Sequence, residues 1–190
     1  MTPRALVPPT GAAAEMAARF AALVPVLETP RLRLRAPRVG DIPAWQAILG
    51  APEAVHMGGP HDAEAAWEEF AYYTGGWMLY GHGLWSVETK DGELVGFVTL
   101  GLEWDDYEPE LGWMFLREHR GKGYATEAAA AARDHARGLL GDGAFVSYVN
   151  GANAPSNAVA KRLGAVRDRA EEARITDHRD LRVWRHGGPA

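Results

Sequence analysis

Hydrophobic and polar positions alternate in the segment TPRLRLRAP, where Leu32 and Leu34 are flanked by arginines. A period of two is typical of a strand with one buried face, so this segment predicts the first strand of a sheet. The later segment GLWSVETKDGELVGFVTLGLEW predicts two strands joined at Asp91-Gly92, because Asp-Gly is a strong signal for a tight hairpin turn. A turn at DDYEP then leads to ELGWMFL, residues 110–116, which completes a predicted β-meander.

Helical patterns lie between and after these strands. Asp41 is a candidate N-cap for a helix that Gly50 ends. Residues 62–80 predict a second helix rich in aromatic side chains, and residues 123–137 predict a third, ended by Gly138.

The segments after the third helix complete an α/β pattern. The apolar run AFVSYV predicts a buried strand, followed by a short helix in PSNAVAKRLGA and two strands around AVRDRA and LRVWRH. Strand 110–116, helix 123–137 and strand 145–149 form a β-α-β unit, so these two strands should be parallel with a right-handed crossover.

The N-terminal segment stands apart from this pattern. Residues 12–24 predict a short helix with Met16, Phe20 and Leu23 on one side, and that side needs a surface to pack on. We therefore expect residues 1–29 to be an extension and residues 30–190 to form a single domain.

Composition and charge argue against several classes of function. A net charge of −5 argues against a nucleic-acid partner, and the absence of cysteine excludes disulfides, a thiolate nucleophile and cysteine zinc sites. The seven histidines are scattered without an HxxxH pair, so we expect no metal site. No apolar run approaches about 18 residues, and polar and proline residues interrupt the alanine-rich N-terminus. These features predict a soluble, cytoplasmic protein without a membrane partner.

The segment EHRGKGYATEA raises the question of an anion site. Its glycine turn follows the strand at 110–116 and opens a helix, where unpaired N–H groups and the helix dipole favour an anion. The P-loop pattern fails because Gly123 follows Lys122, and the GxGxxG pattern fails because residue 126 is threonine. The pattern (Q/R)-x-x-G-x-(G/A) is met by Arg120, Gly123 and Ala125, although a solvated basic turn would have the same sequence.

The context of this turn resembles a known superfamily. After the next strand, NAPSNAVAKRLGA gives an Asn-x-x-Ser turn that opens a helix. The two motifs in this order resemble the GCN5-related N-acetyltransferases (GNAT), and ELGWMFLREHRGKGYATEA is similar to their ribosomal-protein N-terminal acetyltransferase branch. The resemblance covers residues 30–186. It implies a mixed, mostly antiparallel sheet with a splayed parallel strand pair and helices on both faces.

The resemblance also implies an acetyl-CoA site between the two parallel strands. Pantetheine would pair with the backbone of Phe115 and Leu116, and Asn153 would hydrogen-bond its arm. The pyrophosphate would rest on the loop and helix start formed by Arg120, Gly121, Lys122, Gly123, Tyr124 and Ala125. Lys161 and Arg162 could reach the outer phosphate or could be a solvated helix face.

Acetyl transfer to an amine needs a base and a proton donor for the thiolate. Glu110 is the leading candidate base because it begins the strand that would carry the acetyl group, and Glu103 is second. Many GNAT enzymes supply the acid from a tyrosine in the helix after Asn-x-x-Ser, but the matching residue here is Ala160. Ser156 is the remaining hydroxyl on that turn, and it could instead cap the helix.

The sequence specifies the amine acceptor less closely than the cofactor. The acids of LEWDDYEPELGW surround Trp104 and Tyr107, a combination that suits a cationic amine. His56, Met57, Trp77 and Trp85 could line its pocket or belong to the core. We therefore expect an acetyl-CoA-dependent N-acetyltransferase acting on a protein N-terminus or a small amine, as a monomer or homodimer. The alternative is an acyl-CoA-binding module without catalysis.

Overall fold

A computed structural model describes residues 3–175 and 180–187 of the 190-residue chain. Its centre is one eight-stranded sheet in the order β1-β2-β3-β4-β5-β6-β8-β7. The strands are β1 (Leu27–Glu28), β2 (Leu32–Arg35), β3 (Leu84–Thr89), β4 (Leu94–Gly101), β5 (Glu110–Phe115), β6 (Val146–Asn150), β7 (Val166–Arg167) and β8 (Leu181–Arg185).

Helices cover both faces of this sheet. They are α1 (Gly11–Ala21), α2 (Ile42–Leu49), α3 (Ala63–Leu79), α4 (Tyr124–Leu140), α5 (Ala154–Arg162) and α6 (Arg169–Glu172). Short 3-10 turns occupy Arg4–Leu6, Val39–Asp41, Pro52–Met57 and Arg117–His119. The alanine-rich side of α4 packs on one face of the sheet, against Trp85, Leu111 and Phe145. Helices α2 and α3 pack on the opposite face, with Trp45 and Phe97 in edge-to-face contact at 5.1 Å.

Every strand pair is antiparallel except β5 and β6, which α4 joins as a parallel crossover. These two strands share only one register position, Glu110 opposite Val146. The predicted fold is therefore confirmed, including the divergence of the parallel pair.

One local prediction, the end of the third helix, was wrong, and two others were confirmed in a shorter or less buried form. Helix α4 continues through Gly138 to Leu140 and ends at Gly141, whose φ of 103° only glycine readily adopts. The segment predicted as a strand around AVRDRA gives a two-residue β7, after which Asp168 caps the short helix α6. Helix α1 forms but buries no residue, and Met16 and Phe20 remain about half exposed.

Asp41 stands at the N-cap position of α2, but its side chain does not cap the helix. Its two carboxylate oxygens accept from the guanidinium of Arg35 at 2.8 and 3.0 Å. The Ser86 hydroxyl donates to the same carboxylate at 2.7 Å, and Arg35 also donates to Glu88 at 2.6 Å. This buried network ties β2, β3 and the start of α2 together.

We predict that Asp41→Ala lowers the free energy of unfolding by about 3 kcal/mol, because removing one partner leaves buried charge poorly compensated. Asp62→Ala is the matched control, since Asp62 does cap α3 by accepting from the N–H groups of Glu64 and Ala65. Loss of that cap should cost about 1 kcal/mol. Urea unfolding measures both, and an equal loss in the two variants would contradict the importance of the network.

Candidate active site

The gap between β5 and β6 exposes one edge of β5. Leu116 donates its N–H to Val95 on the β4 side at 3.1 Å, and backbone groups alternate in direction along a strand. The odd-numbered residues Leu111, Trp113 and Phe115 therefore direct their N–H and C=O groups into the gap. Strand β5 can accept an added strand only through these residues.

Side chains form some of the hydrogen bonds that backbone groups would make in a regular β5–β6 ladder. The Ser147 hydroxyl donates to the Leu111 carbonyl at 2.5 Å, and the Arg120 guanidinium donates to the Phe115 carbonyl at 2.9 Å. On the opposing strand, the Tyr148 N–H donates to the Glu110 carboxyl at 3.1 Å. These bonds hold the strands apart and leave Trp113 and the Phe115 N–H facing the gap.

Leu116 does not fit the role that the resemblance gives it. Its N–H donates to Val95, and its carbonyl accepts from the N–H of His119 at 2.9 Å. The pairing register with β4 thus directs Leu116 away from the gap. The backbone of Trp113 does face the gap, and sequence reasoning did not identify this residue.

The glycine turn forms a nest of N–H groups at the start of α4. Gly121 and Gly123 both have positive φ, 75° and 81°, and Tyr124 and Ala125 follow as the first helical residues. Within residues 3–175 and 180–187, the N–H groups of residues 121–126 donate to no acceptor. Consecutive unpaired N–H groups at a helix N-terminus are a binding site for an anion such as phosphate.

Arg31 and Glu127, which are 96 positions apart in sequence, pair with each other beside this turn. Arg31, just before β2, donates to the Glu127 carboxylate in the first turn of α4 and to the Lys122 carbonyl. Although partial burial opposes the shift, hydrogen bonds from Thr29 and Arg31 lower the pKa of Glu127 below its ordinary value. Neither residue was identified from the sequence, because Arg31 has the pattern of an ordinary outward-facing strand residue.

The start of α5 lies after β6. The Asn153 side chain caps this helix by accepting from the N–H of Ser156 at 3.2 Å. Ser156 is therefore not the cap, and its hydroxyl bonds to no group in the described part of the chain. Asn157, also missed, is buried and donates to the Asn150 carbonyl at 2.9 Å while accepting from the Trp184 indole at 3.0 Å.

Ala160 is the residue that the resemblance sets against a tyrosine. It is fully buried and packs with Val149, Ala165 and Trp184. The position is part of the core. Lys161 and Arg162 are exposed, and the Lys161 ammonium lies 5.8 Å from the centre of the Trp184 ring.

Glu110 points to the α3 side of the sheet, as does Met114, four residues along β5. Burial raises its pKa to about 8, and the nearby negative charges of Asp106, Glu103 and Glu69 act in the same direction. The hydrogen bond from Tyr148 opposes this shift. At neutral pH Glu110 is therefore mainly protonated, and above pH 8 it is a carboxylate of unusual basicity.

A cleft of about 480 Å³ opens on this same side. It is lined by Met57, Gly58, His61, Ala65, Glu68, Glu69, Tyr72, Glu103 and Trp104. Burial raises the pKa of Glu69 to about 7, and the Trp104 side chain is almost fully exposed at 96%. The cleft combines carboxyl groups with aromatic rings.

Glu103 is fixed by its neighbours rather than free. It accepts from the Tyr73 hydroxyl at 2.5 Å, and its N–H donates to Asp106 at 2.6 Å. Gly101 makes room for this contact, since a Cβ there would lie 2.4 Å from the Tyr73 ring. Burial raises the pKa of Asp106 to about 6.

Glu103 and Trp104, considered for a cationic acceptor, line the cleft, whereas of His56, Met57, Trp77 and Trp85 only Met57 does. Trp85 is fully buried and donates to the Pro25 carbonyl, and Trp77 donates to the Leu84 carbonyl. His56 lies in the turn before Met57 without contributing to the cleft wall.

The described residues contain no group of three or more His, Cys, Asp or Glu side chains placed to hold a metal ion. Across the same residues, no helix has both the length and the apolarity needed to cross a membrane.

Comparison with known proteins agrees with this geometry. A crystal structure of an acetyltransferase from Agrobacterium tumefaciens is 34% identical, with a TM-score of 0.78 over 87% of this chain and 95% of that one. The RimL ribosomal L7/L12 alpha-N-protein acetyltransferase, solved with coenzyme A, is 17% identical with a TM-score of 0.67 over 86% of this chain and 98% of that one. The latter similarity is one of fold.

A sequence relative matches only in part. The uncharacterized protein YkkB of Bacillus subtilis is 36% identical over 89 residues, which are 45% of this chain. The chain spans about half of that relative's length, 51%.

The family assignment rests on most of the domain. The acetyltransferase (GNAT) domain model matches residues 31–166, which include β2 to β6, the glycine turn and α5. The chain therefore belongs to the GNAT acetyltransferase family.

Proposed function

We propose that this protein is an acetyl-CoA-dependent N-acetyltransferase that acetylates a primary amine by direct attack in a ternary complex. The observation that carries the proposal is the nest of N–H groups at residues 121–126, next to the open edge of β5. An anion on the nest and a polar chain along the edge match the pyrophosphate and the pantetheine of acetyl-CoA. The solved RimL neighbour contains coenzyme A.

The open edge would place the thioester near Glu110. The Trp113 backbone and the Phe115 N–H are the groups of β5 that remain available to pantetheine, and Glu110 begins the same strand. The amine nitrogen would attack the thioester carbon, the C–S bond would break, and Glu110 in its ionised form would take the amine proton. The departing thiolate would receive a proton from Ser156, whose hydroxyl has no other partner in the described chain.

The acceptor would enter through the cleft between α3 and the β4–β5 connection. Glu68, Glu69 and Glu103 line it together with Tyr72 and Trp104. Carboxyl groups attract an ammonium ion, and aromatic faces add cation–π attraction. A cationic amine, either a small molecule or a protein N-terminus, therefore suits this cleft better than a neutral or acidic acceptor.

One observation favours a second candidate, an acyl-CoA-binding module without catalysis. Ala160 packs in the core where many relatives place a tyrosine acid. Such a module would bind acetyl-CoA but release no thiol when amines are added.

Thiol release from acetyl-CoA in the presence of an amine panel tests the proposal. We expect amine-dependent release by the parent protein and a rise of at least tenfold in the Kd for acetyl-CoA in Gly123→Val, which is about 1.4 kcal/mol. The physical reason is that a β-branched residue is strained at a φ of 81° and its side chain obstructs the nest. Gly138→Ala is the control, because Gly138 lies at the far end of α4 with no atom near its Cβ position. Binding without thiol release would favour the silent module, and unchanged binding by a folded Gly123→Val would reject the nest as the cofactor site.

Substitutions at Ser156 and Asn153 should distinguish a loss of catalysis from a loss of stability. If Ser156 protonates the thiolate, Ser156→Ala should lower kcat at least about tenfold and leave the acetyl-CoA KM and the thermal melt nearly unchanged. Asn153→Ala removes the cap of α5 and should cost about 1 kcal/mol of stability. Rates measured beside melts decide the matter, and a Ser156→Ala variant with the parent kcat would remove this serine from the chemistry.

The titration of Glu110 should appear in both rate and stability. The parent kcat/KM for the amine should rise with pH around a midpoint near 8, because kcat/KM reports the pKa of the free protein and only the ionised carboxylate is a base. Glu110→Gln keeps an acceptor for the Tyr148 N–H but should lower kcat about 10²-fold and lose that midpoint.

The folding stability should change with pH in the direction opposite to the rate. A raised pKa means that the folded protein holds a proton that the unfolded chain releases, so stability falls as pH rises between 4.5 and about 8. Glu110→Gln should reduce this slope by up to about 1.4 kcal/mol per pH unit. Asp105→Asn, an exposed change in the adjacent turn, is the control. Identical pH profiles for the parent and Glu110→Gln would exclude Glu110 as the base.

A further inference from the structure

Glu127 places a negative charge beside the proposed phosphate site. It is the fourth residue of α4, and its N–H donates to the carbonyl of Gly123 at 3.1 Å, one turn from the nest. An ionised carboxylate at this position repels a phosphate unless its charge is compensated.

Compensation comes from residues 29–31, nearly a hundred positions earlier in the chain. The Arg31 guanidinium contacts one Glu127 oxygen through two nitrogens, each at 2.6 Å. The other oxygen accepts from the Arg31 N–H at 2.9 Å and from the Thr29 hydroxyl at 2.6 Å. The carboxylate thus has four donor contacts, all from the turn before β2.

Arg31 also contacts the loop itself. It donates to the Lys122 carbonyl at 3.0 Å, and its guanidinium carbon lies 4.8 Å from the centre of the Tyr124 ring. One terminal nitrogen lies 3.4 Å from the place of a Cβ on Gly123. A single guanidinium therefore contacts Lys122 and Tyr124, the residues on either side of Gly123.

The bond to Lys122 has a directional consequence. The C=O and N–H groups of one trans peptide point in opposite directions. When Arg31 holds the Lys122 carbonyl, the N–H of Gly123 in the same peptide must point away from Arg31. The contact thereby turns one N–H of the nest toward the side where the anion would bind.

We infer that Arg31 is a positioning residue for acetyl-CoA, which acts by neutralising Glu127 and by fixing the Lys122–Gly123 peptide in its anion-binding orientation. The inference rests on the proposed function, since it concerns the phosphates of that cosubstrate. It assigns a cofactor role to the turn between β1 and β2, outside the β-α-β unit.

Acetyl-CoA and S-acetyl-pantetheine, which lacks the phosphates, are the two probes. We expect Arg31→Met to raise the KM for acetyl-CoA about tenfold, equal to about 1.4 kcal/mol. The KM for S-acetyl-pantetheine, the KM for the amine and the kcat at saturation should stay within twofold. A purely structural role for Arg31 would change all of these together with the melting temperature.

Arg33→Met is the matched control. The Arg33 side chain is as exposed as that of Arg31, 47% against 49%, and it pairs with Glu28 and Glu88 instead of the loop. It should bind acetyl-CoA like the parent. If Arg31→Met fails to fold, Arg31→Lys keeps the charge that neutralises Glu127 and loses the planar fork, and it should show a smaller rise that is still selective for the KM of acetyl-CoA.

A double variant separates the two parts of the inference. If Arg31 only neutralises Glu127, then Arg31→Met combined with Glu127→Gln should regain the parent KM for acetyl-CoA. If it also orients the peptide, as we infer, the double variant should remain several-fold weaker than the parent.

The outcomes keep this inference distinct from the proposed function. A parent protein that prefers acetyl-CoA over S-acetyl-pantetheine, with an Arg31→Met variant that does so equally, overturns the role of Arg31 alone. Full recovery in the double variant overturns the orientation of the peptide. A parent that binds neither probe overturns the proposed function itself.

Discussion

The separation of β5 from β6 after one shared register position is the constraint on which the site depends. Two parallel strands that part inside a protein leave backbone donors and acceptors without partners, and unpaired buried groups are costly. Here Ser147, Glu110 and Arg120 satisfy three of those groups with side-chain atoms. The gap can therefore persist without closing into a regular ladder.

The same separation sets the position of the nest. β5 and β6 part toward the carboxyl end of β5, where the chain leaves β5 through the turn Arg117–His119 and enters α4 after Gly123. Positive φ at Gly121 and Gly123 allows this tight entry. The open strand edge and the anion nest are thus two consequences of one topological feature.

Local signals in the sequence predicted most of the architecture. The alternation at Leu32 and Leu34, the Asp-Gly turn and the alanine-rich helix after Gly123 are each encoded within a few residues, and the structure has all three. The β-α-β order then required a parallel pair. The end of α4 was misjudged because packing carried the helix past Gly138, which overrides a weak local preference.

The finer parts of the site depend on register and on distant contacts, which no local pattern encodes. Whether Leu116 or Trp113 faces the gap is decided by pairing with β4, as the bond from Leu116 to Val95 shows. The contact of Arg31 with Glu127 joins positions 96 residues apart. Asp41 has the sequence position of a helix cap, but its carboxylate pairs with Arg35 in another element. No local pattern in the sequence reveals that partner.

Charge is handled in opposite ways on the two sides of β5. Near the nest, donors from Thr29 and Arg31 favour the ionised form of Glu127 and compensate its negative charge. On the cleft side, burial raises the pKa values of Glu69 and Glu110 to about 7 and about 8.

This difference matters for the chemistry proposed. A carboxyl group kept neutral by burial becomes easier to ionise when a positive charge is brought close, because an opposite charge favours the ionised form. An ammonium group in the cleft would therefore lower the pKa of Glu110 and so increase the fraction of the base in its active form. The burial that disfavours the ionised form of Glu110 in the free protein would then also make this residue responsive to the cationic acceptor whose proton we propose it takes.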